Sequence, residues 1–194
     1  MANADINKRL ETLGQMIAAP ASLWKKLHKK PFSSKDVLRG FFYPAVVIFG
    51  IAEFAGMLLS AYVTGSFAYI LLFSLMIMAG LLVAYFLSVW ALNYLLKSYE
   101  VKAGSDIAYQ LLALPLVLGY FPIAITALFR SMFFLIVLCI YAIYIFWLGT
   151  QQLPGLDKEK APLFGILSII FTVGIHLLTF LLIMTLREPL MSLL

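Results

Sequence analysis

The chain is 194 residues long; 63% of it is hydrophobic and only 12% is charged. A soluble domain carries about 45–50% apolar and about 25% charged residues, so these proportions exclude a soluble globular enzyme and a disordered chain. Cys139 is the single cysteine, which excludes an intramolecular disulfide scaffold and leaves an integral membrane protein.

The net charge of +5 is unevenly placed. Residues 1–39 hold eight basic residues (Lys8, Arg9, Lys25, Lys26, Lys29, Lys30, Lys35, Arg39) against Asp5, Glu11 and Asp36, while the rest of the chain is balanced at six and six. A basic segment abutting apolar spans points to an anionic membrane surface rather than nucleic acid. Within it, Ile6, Leu10, Leu13 and Ile17 recur at helical spacing, and Pro20 should end that helix. Next come Leu23, Trp24 and Leu27, interleaved with Lys25, Lys26, Lys29 and Lys30. This pattern predicts an N-terminal amphipathic interfacial helix, with Trp24 at headgroup level and the four lysines on anionic lipid. His28 reads as one more surface residue of that helix. The polar opening is not expected to act as a cleaved signal peptide.

Five later segments each meet the requirement of about 20 mainly apolar residues for a transmembrane helix. They are 40–63, 67–96, 107–129, 131–150 and 161–186. The predicted fold class is therefore an all-α polytopic membrane protein of five transmembrane helices, with a basic segment over 1–39 and a membrane domain over 40–194. Continuous apolar runs rule out alternating barrel strands. Thr64-Gly65-Ser66 reads as a turn, and 97–106 and 151–160 as polar loops. As one helix, 107–150 would run about 66 Å, over twice the hydrocarbon thickness, so it must fold back at Arg130. Pro115 and Pro122 predict a kinked or partly unwound third helix. No internal repeat is visible. With the N-terminus cytoplasmic, twelve basic residues lie inside and only Arg130 and Arg187 outside; this positive-inside bias places the C-terminus outside.

Two ionisable residues fall within spans, Glu53 and His176. Counted from the inner edge, both lie about 20 Å deep. One reading is a proton- or ion-linked site; the other is a structural hydrogen bond between packed helices. Ala52, Ala55 and Gly56 beside Glu53 would admit a close helix, in the bundle or in a dimer. Gly80, Ala84 and Ser88 form a second small-residue stripe. Asn93 and Gln110 lie near span ends, where water reaches them. Cys139 reads as a small buried hydrophobe. The sequence holds no HExxH, GxSxG or Walker A pattern, and no catalytic group, metal site or cofactor is expected.

Four stretches, in order, resemble the Yip1 domain family. They are Pro20–Trp24 with its lysines, Ser33–Gly56, Ser105–Ile125 with Pro115, Gly119, Tyr120 and Pro122, and Leu148–Leu163. The match looks like the prokaryotic branch. The resemblance implies five membrane helices, a cytoplasmic N-terminus and a non-cytoplasmic C-terminus, in a bacterial inner membrane. Eukaryotic relatives bind small Rab-type GTPases, but this sequence lacks their long N-terminal region and Asp-Leu-Tyr-Gly-Pro motif, so that role is not implied. The expectation is a non-enzymatic scaffold that organises the membrane or binds a partner. Its partners would be anionic lipid, a second copy or another membrane protein. The alternative is a small transporter using Glu53 and His176.

Overall fold

A computed structural model describes residues 2–60, 66–101 and 104–193. Among these residues there are helices and no strands. Five helical stretches are long and apolar enough to cross a membrane: Ser34–Leu59, Phe67–Ser98, Asp106–Leu128, Arg130–Gln151 and Ala161–Pro189. Each overlaps one predicted span. The turn predicted at 64–66 lies outside the described residues except for Ser66.

The N-terminal arm is two helices, α1 (Ala2–Ala18) and α2 (Pro20–Lys29). The break is where Pro20 demands it: proline is tolerated at the first turn of a helix but not in its interior. The first span begins at Ser34, so the boundary predicted at residue 39 falls inside its helix. Ser33 caps it by accepting the Asp36 N–H at 3.1 Å. The span is α3 (Ser34–Val37), a π segment (Leu38–Phe42) and α4 (Tyr43–Leu59). The π segment is explained by Pro44, which has no N–H to donate and crowds the Gly40 carbonyl one turn back.

α5 (Phe67–Ser98) starts at Ser66, whose hydroxyl accepts the Tyr69 N–H at 3.2 Å. α6 (Ser105–Leu128) is unbroken through Pro115 and Pro122, so the unwinding predicted there does not occur. The chain then reverses at Phe129 and descends through a 3₁₀ segment (Arg130–Val137) into α7 (Leu138–Gln151). α8 (Ala161–Leu193) runs past the predicted end at 186 and through Pro189.

The five spans close a circuit in the order α4, α6, α7, α8, α5 and back to α4. Small residues mark the crossings. A Cβ on Gly56 would strike the Ala127 carbonyl, so the Ala52/Gly56 stripe serves the α4–α6 contact inside the bundle. A Cβ on Gly80 would strike Ile183, which sets α5 against α8, and Ala84 and Ser88 are buried one and two turns further on.

The core is concentrated at one end of this circuit. There Met16, Trp24 and Leu27 of the arm join Phe42, Tyr85, Leu92, Leu111, Ile145 and Phe164 in a single cluster. The opposite end has a smaller cluster built on Met57, Tyr69, Ile70, Phe73 and Ile183. No residue of the 3₁₀ segment is buried.

Candidate functional site

α2 lies along α7 with its apolar edge turned into the protein. Trp24 is 0% exposed, and its indole Nε1–H donates to the Ile145 carbonyl at 2.9 Å. The ring sits over Gly149, where a Cβ would stand 2.7 Å from the indole and 2.5 Å from Leu111. The glycine is what lets the helix dock. One turn on, His28 stacks on Trp24 with ring centroids 5.4 Å apart. Its Nε2 meets the Gly149 carbonyl at 3.0 Å, so that nitrogen carries the proton and donates, because a carbonyl only accepts. The other nitrogen, Nδ1, is buried without a partner. Burial pushes the His28 pKa below its ordinary value, against the smaller opposite effect of the Gly149 bond. At the end of α1, the Tyr141 hydroxyl donates to the Ile17 carbonyl at 2.6 Å.

A second set of bonds holds the chain leaving α2 against the start of α6. The Gln110 side chain accepts the Phe32 N–H at 3.1 Å and donates to the Leu27 carbonyl at 3.4 Å. Asp106 accepts the Ser34 N–H at 2.9 Å. Gln110 is 0% exposed, so water does not reach it as predicted. A buried amide must be bonded, and here its bonds join the arm to the bundle.

The geometry corrects two predictions. Trp24 does not face lipid, because its apolar edge is spent on α6 and α7. His28 is a packed residue, not a surface one. Lys25, Lys26, Lys29 and Lys30 are exposed, as an outward polar edge requires. The face of α1 is also rotated from the prediction: Thr12 and Met16 point inward, while Leu10 and Ile17 are exposed.

Glu53 and His176 are not brought together. They stand on α4 and α8, which are not neighbours in the circuit. The charge acting on Glu53 is that of Arg130, at the start of the 3₁₀ segment. His176 bonds instead to the Tyr120 hydroxyl at 3.2 Å and to the Thr172 carbonyl at 2.8 Å. Common depth was a poor guide because it ignores position around the bundle. Tyr120 in turn packs against Phe42 and Phe49, at centroid distances of 6.4 and 6.0 Å.

His176 and Tyr120 border a cleft of about 310 Å³ between α6, α7 and α8. Glu53 does not line it. Cys139 is half-buried beside it, and its thiol donates to the Gly119 carbonyl at 3.5 Å. Sequence reasoning missed Gly149 and Thr172, and named Tyr120 only within a stretch carrying a family resemblance. Only Gly149, a small residue in an aromatic-rich span, carried any visible signal of close approach. No family model, no curated protein and no solved structure matches the chain.

Proposed function

We propose that this membrane protein is a non-enzymatic scaffold of the Yip1 type. In this reading it sits in a bacterial inner membrane with its N-terminus cytoplasmic and its C-terminus outside. The observation that carries the reading is the division of labour on α2. Leu23, Trp24 and Leu27 are consumed by docking, while Lys25, Lys26, Lys29 and Lys30 all remain exposed. The lysine edge is thereby fixed to the bundle rather than tethered to it. Near an anionic leaflet each such lysine contributes about 1 kcal/mol. The protein would use this edge to gather anionic lipid around itself, or to present a basic surface to a second copy or another membrane protein.

The test is the fourfold change of Lys25, Lys26, Lys29 and Lys30 to Gln, purified in nanodiscs of mixed phosphatidylcholine and phosphatidylglycerol. Enrichment of phosphatidylglycerol in the bound lipid should fall while the melting temperature holds. Unchanged enrichment would overturn the reading. The substitution is better than deleting the arm, since deletion would also remove Trp24 from the core.

A further inference from the structure

We propose that the cleft between α6, α7 and α8 binds a membrane-dissolved, uncharged amphiphile, with an apolar body and one neutral oxygen that pairs with the Thr172 hydroxyl. The cleft volume, about 310 Å³, falls within the range of small-molecule sites, about 300–1,000 Å³. Its floor is buried, formed by Leu112, Phe146 and Tyr120. Its rim, formed by Ile143, Val173 and Leu177, is 40–55% exposed on the flank of the bundle. A ligand therefore enters sideways, from the phase in which the spans are dissolved.

Among the described residues, the lining contains no Asp, Glu, Lys or Arg. A charged headgroup would find no counter-ion there and would lose its hydration. The polar groups that are present are nearly all engaged. His176 Nδ1 donates to the Thr172 carbonyl, so in the neutral ring Nε2 accepts from the Tyr120 hydroxyl. The Cys139 thiol is directed at Gly119. Thr172 differs from these: it lines the cleft, is 9% exposed, and its hydroxyl has no partner among the described residues. The oxygen is reachable from the cleft, and a hydroxyl left without a hydrogen bond in apolar surroundings is costly. The hydrocarbon chain of a bulk lipid would fill the apolar space and leave this one unpaired. A carbonyl oxygen satisfies it. A hydroxyl does so too, and brings a proton for the remaining lone pair on the Tyr120 oxygen.

The experiment uses the full chain in phosphatidylcholine nanodiscs and a diazirine-bearing long-chain alcohol as photoprobe. Competitors of equal chain length are the plain alcohol, the methyl ketone, the alkane and the carboxylate. Labelling should map to α6, α7 and α8 around Gly119 and Ile143. The alcohol or the ketone should compete about 3- to 10-fold better than the alkane, the worth of one hydrogen bond, and the carboxylate should compete least. Preference for the ketone assigns a carbonyl ligand and preference for the alcohol a hydroxyl ligand; either upholds the proposal. Thr172→Val, which keeps the shape, should erase the advantage over the alkane. Ala142→Phe should fill the cleft and stop labelling. Labelling elsewhere, equal competition by alkane and oxygenated probes, or an advantage that survives Thr172→Val would overturn the proposal.

Discussion

The two ends of the bundle are built differently, a large buried cluster at the arm end and a small one at the other. At the arm end, an aromatic side chain is locked on every side. Trp24 is bonded to Ile145, stacked on His28 and seated over Gly149. At the opposite end, Phe129, Phe133 and Phe134 are each more than half exposed, and among the described residues a single side-chain bond, from Arg187 Nε to the Tyr69 hydroxyl at 3.0 Å, links α8 to α5. Lipid is as apolar as these phenylalanines, so burying them against protein brings no hydrophobic gain. Packing and hydrogen bonds must hold the helices, and they are concentrated where the arm docks.

The contrast predicts a graded series of effects. Trp24→Ala should be the most damaging, at about 3–5 kcal/mol for an emptied aromatic site, whereas Phe133→Ala should stay within about 0.5 kcal/mol. Equal losses in a denaturation series in detergent would erase the distinction. Gly149→Ala comes next. The rigid indole cannot yield to the new methyl group, so about 1–3 kcal/mol should be lost, and Trp24 fluorescence should shift to the red in a background where Trp90 and Trp147 are Phe. Gln110→Leu leaves the Phe32 N–H and the Leu27 carbonyl without their side-chain partner, and about 1–3 kcal/mol is expected. Tyr69→Phe should be mildest, at about 1 kcal/mol or less, and confined to hydrogen exchange near the end of α8.

Acidification sharpens the same comparison. The docked arm needs His28 neutral, and its pKa is depressed by burial. A depressed histidine contributes stability that is complete above its ordinary pKa of about 6.5. That stability is lost as pH falls through the lower, docked value. Trp24 fluorescence should therefore report release of α2 in acid, while labelling of the opposite end stays constant. His28→Phe should flatten the dependence. A pH response that persists in His28→Phe would place the switch elsewhere.

Much of this fold was legible from hydrophobicity alone. The five apolar runs located the five spans, Pro20 located the break in the arm, and length forced a reversal at Arg130, one residue from where it occurs. The arm's docking was not legible, since an amphipathic helix with a Trp–Leu edge has the same pattern whether that edge meets lipid or protein. Only three-dimensional placement shows that Gly149 leaves room for the ring and that Gln110 ties down the chain beyond it. The small residues Ala52 and Gly56 signalled a close approach but not the identity of the neighbour, which is the Ala127 carbonyl of α6. Glu53 and His176 matched in depth, but depth says nothing of angle, and five helices leave several angles. Thr172 was invisible because an apolar span tolerates a threonine whose hydroxyl bonds back to its own helix; here that bond is not made.

The central claim is that α2 belongs to the bundle and shows only its lysine edge. Single cysteines placed at Lys26, Leu27 and Lys29 in a Cys139→Ala background, in membrane vesicles treated with an impermeant maleimide, test it most directly. The account predicts rapid modification at Lys26→Cys and Lys29→Cys, protection at Leu27→Cys, and loss of that protection when Gly149→Phe fills the space under Trp24. Equal modification at all three positions, or protection at Leu27→Cys that survives Gly149→Phe, would contradict it.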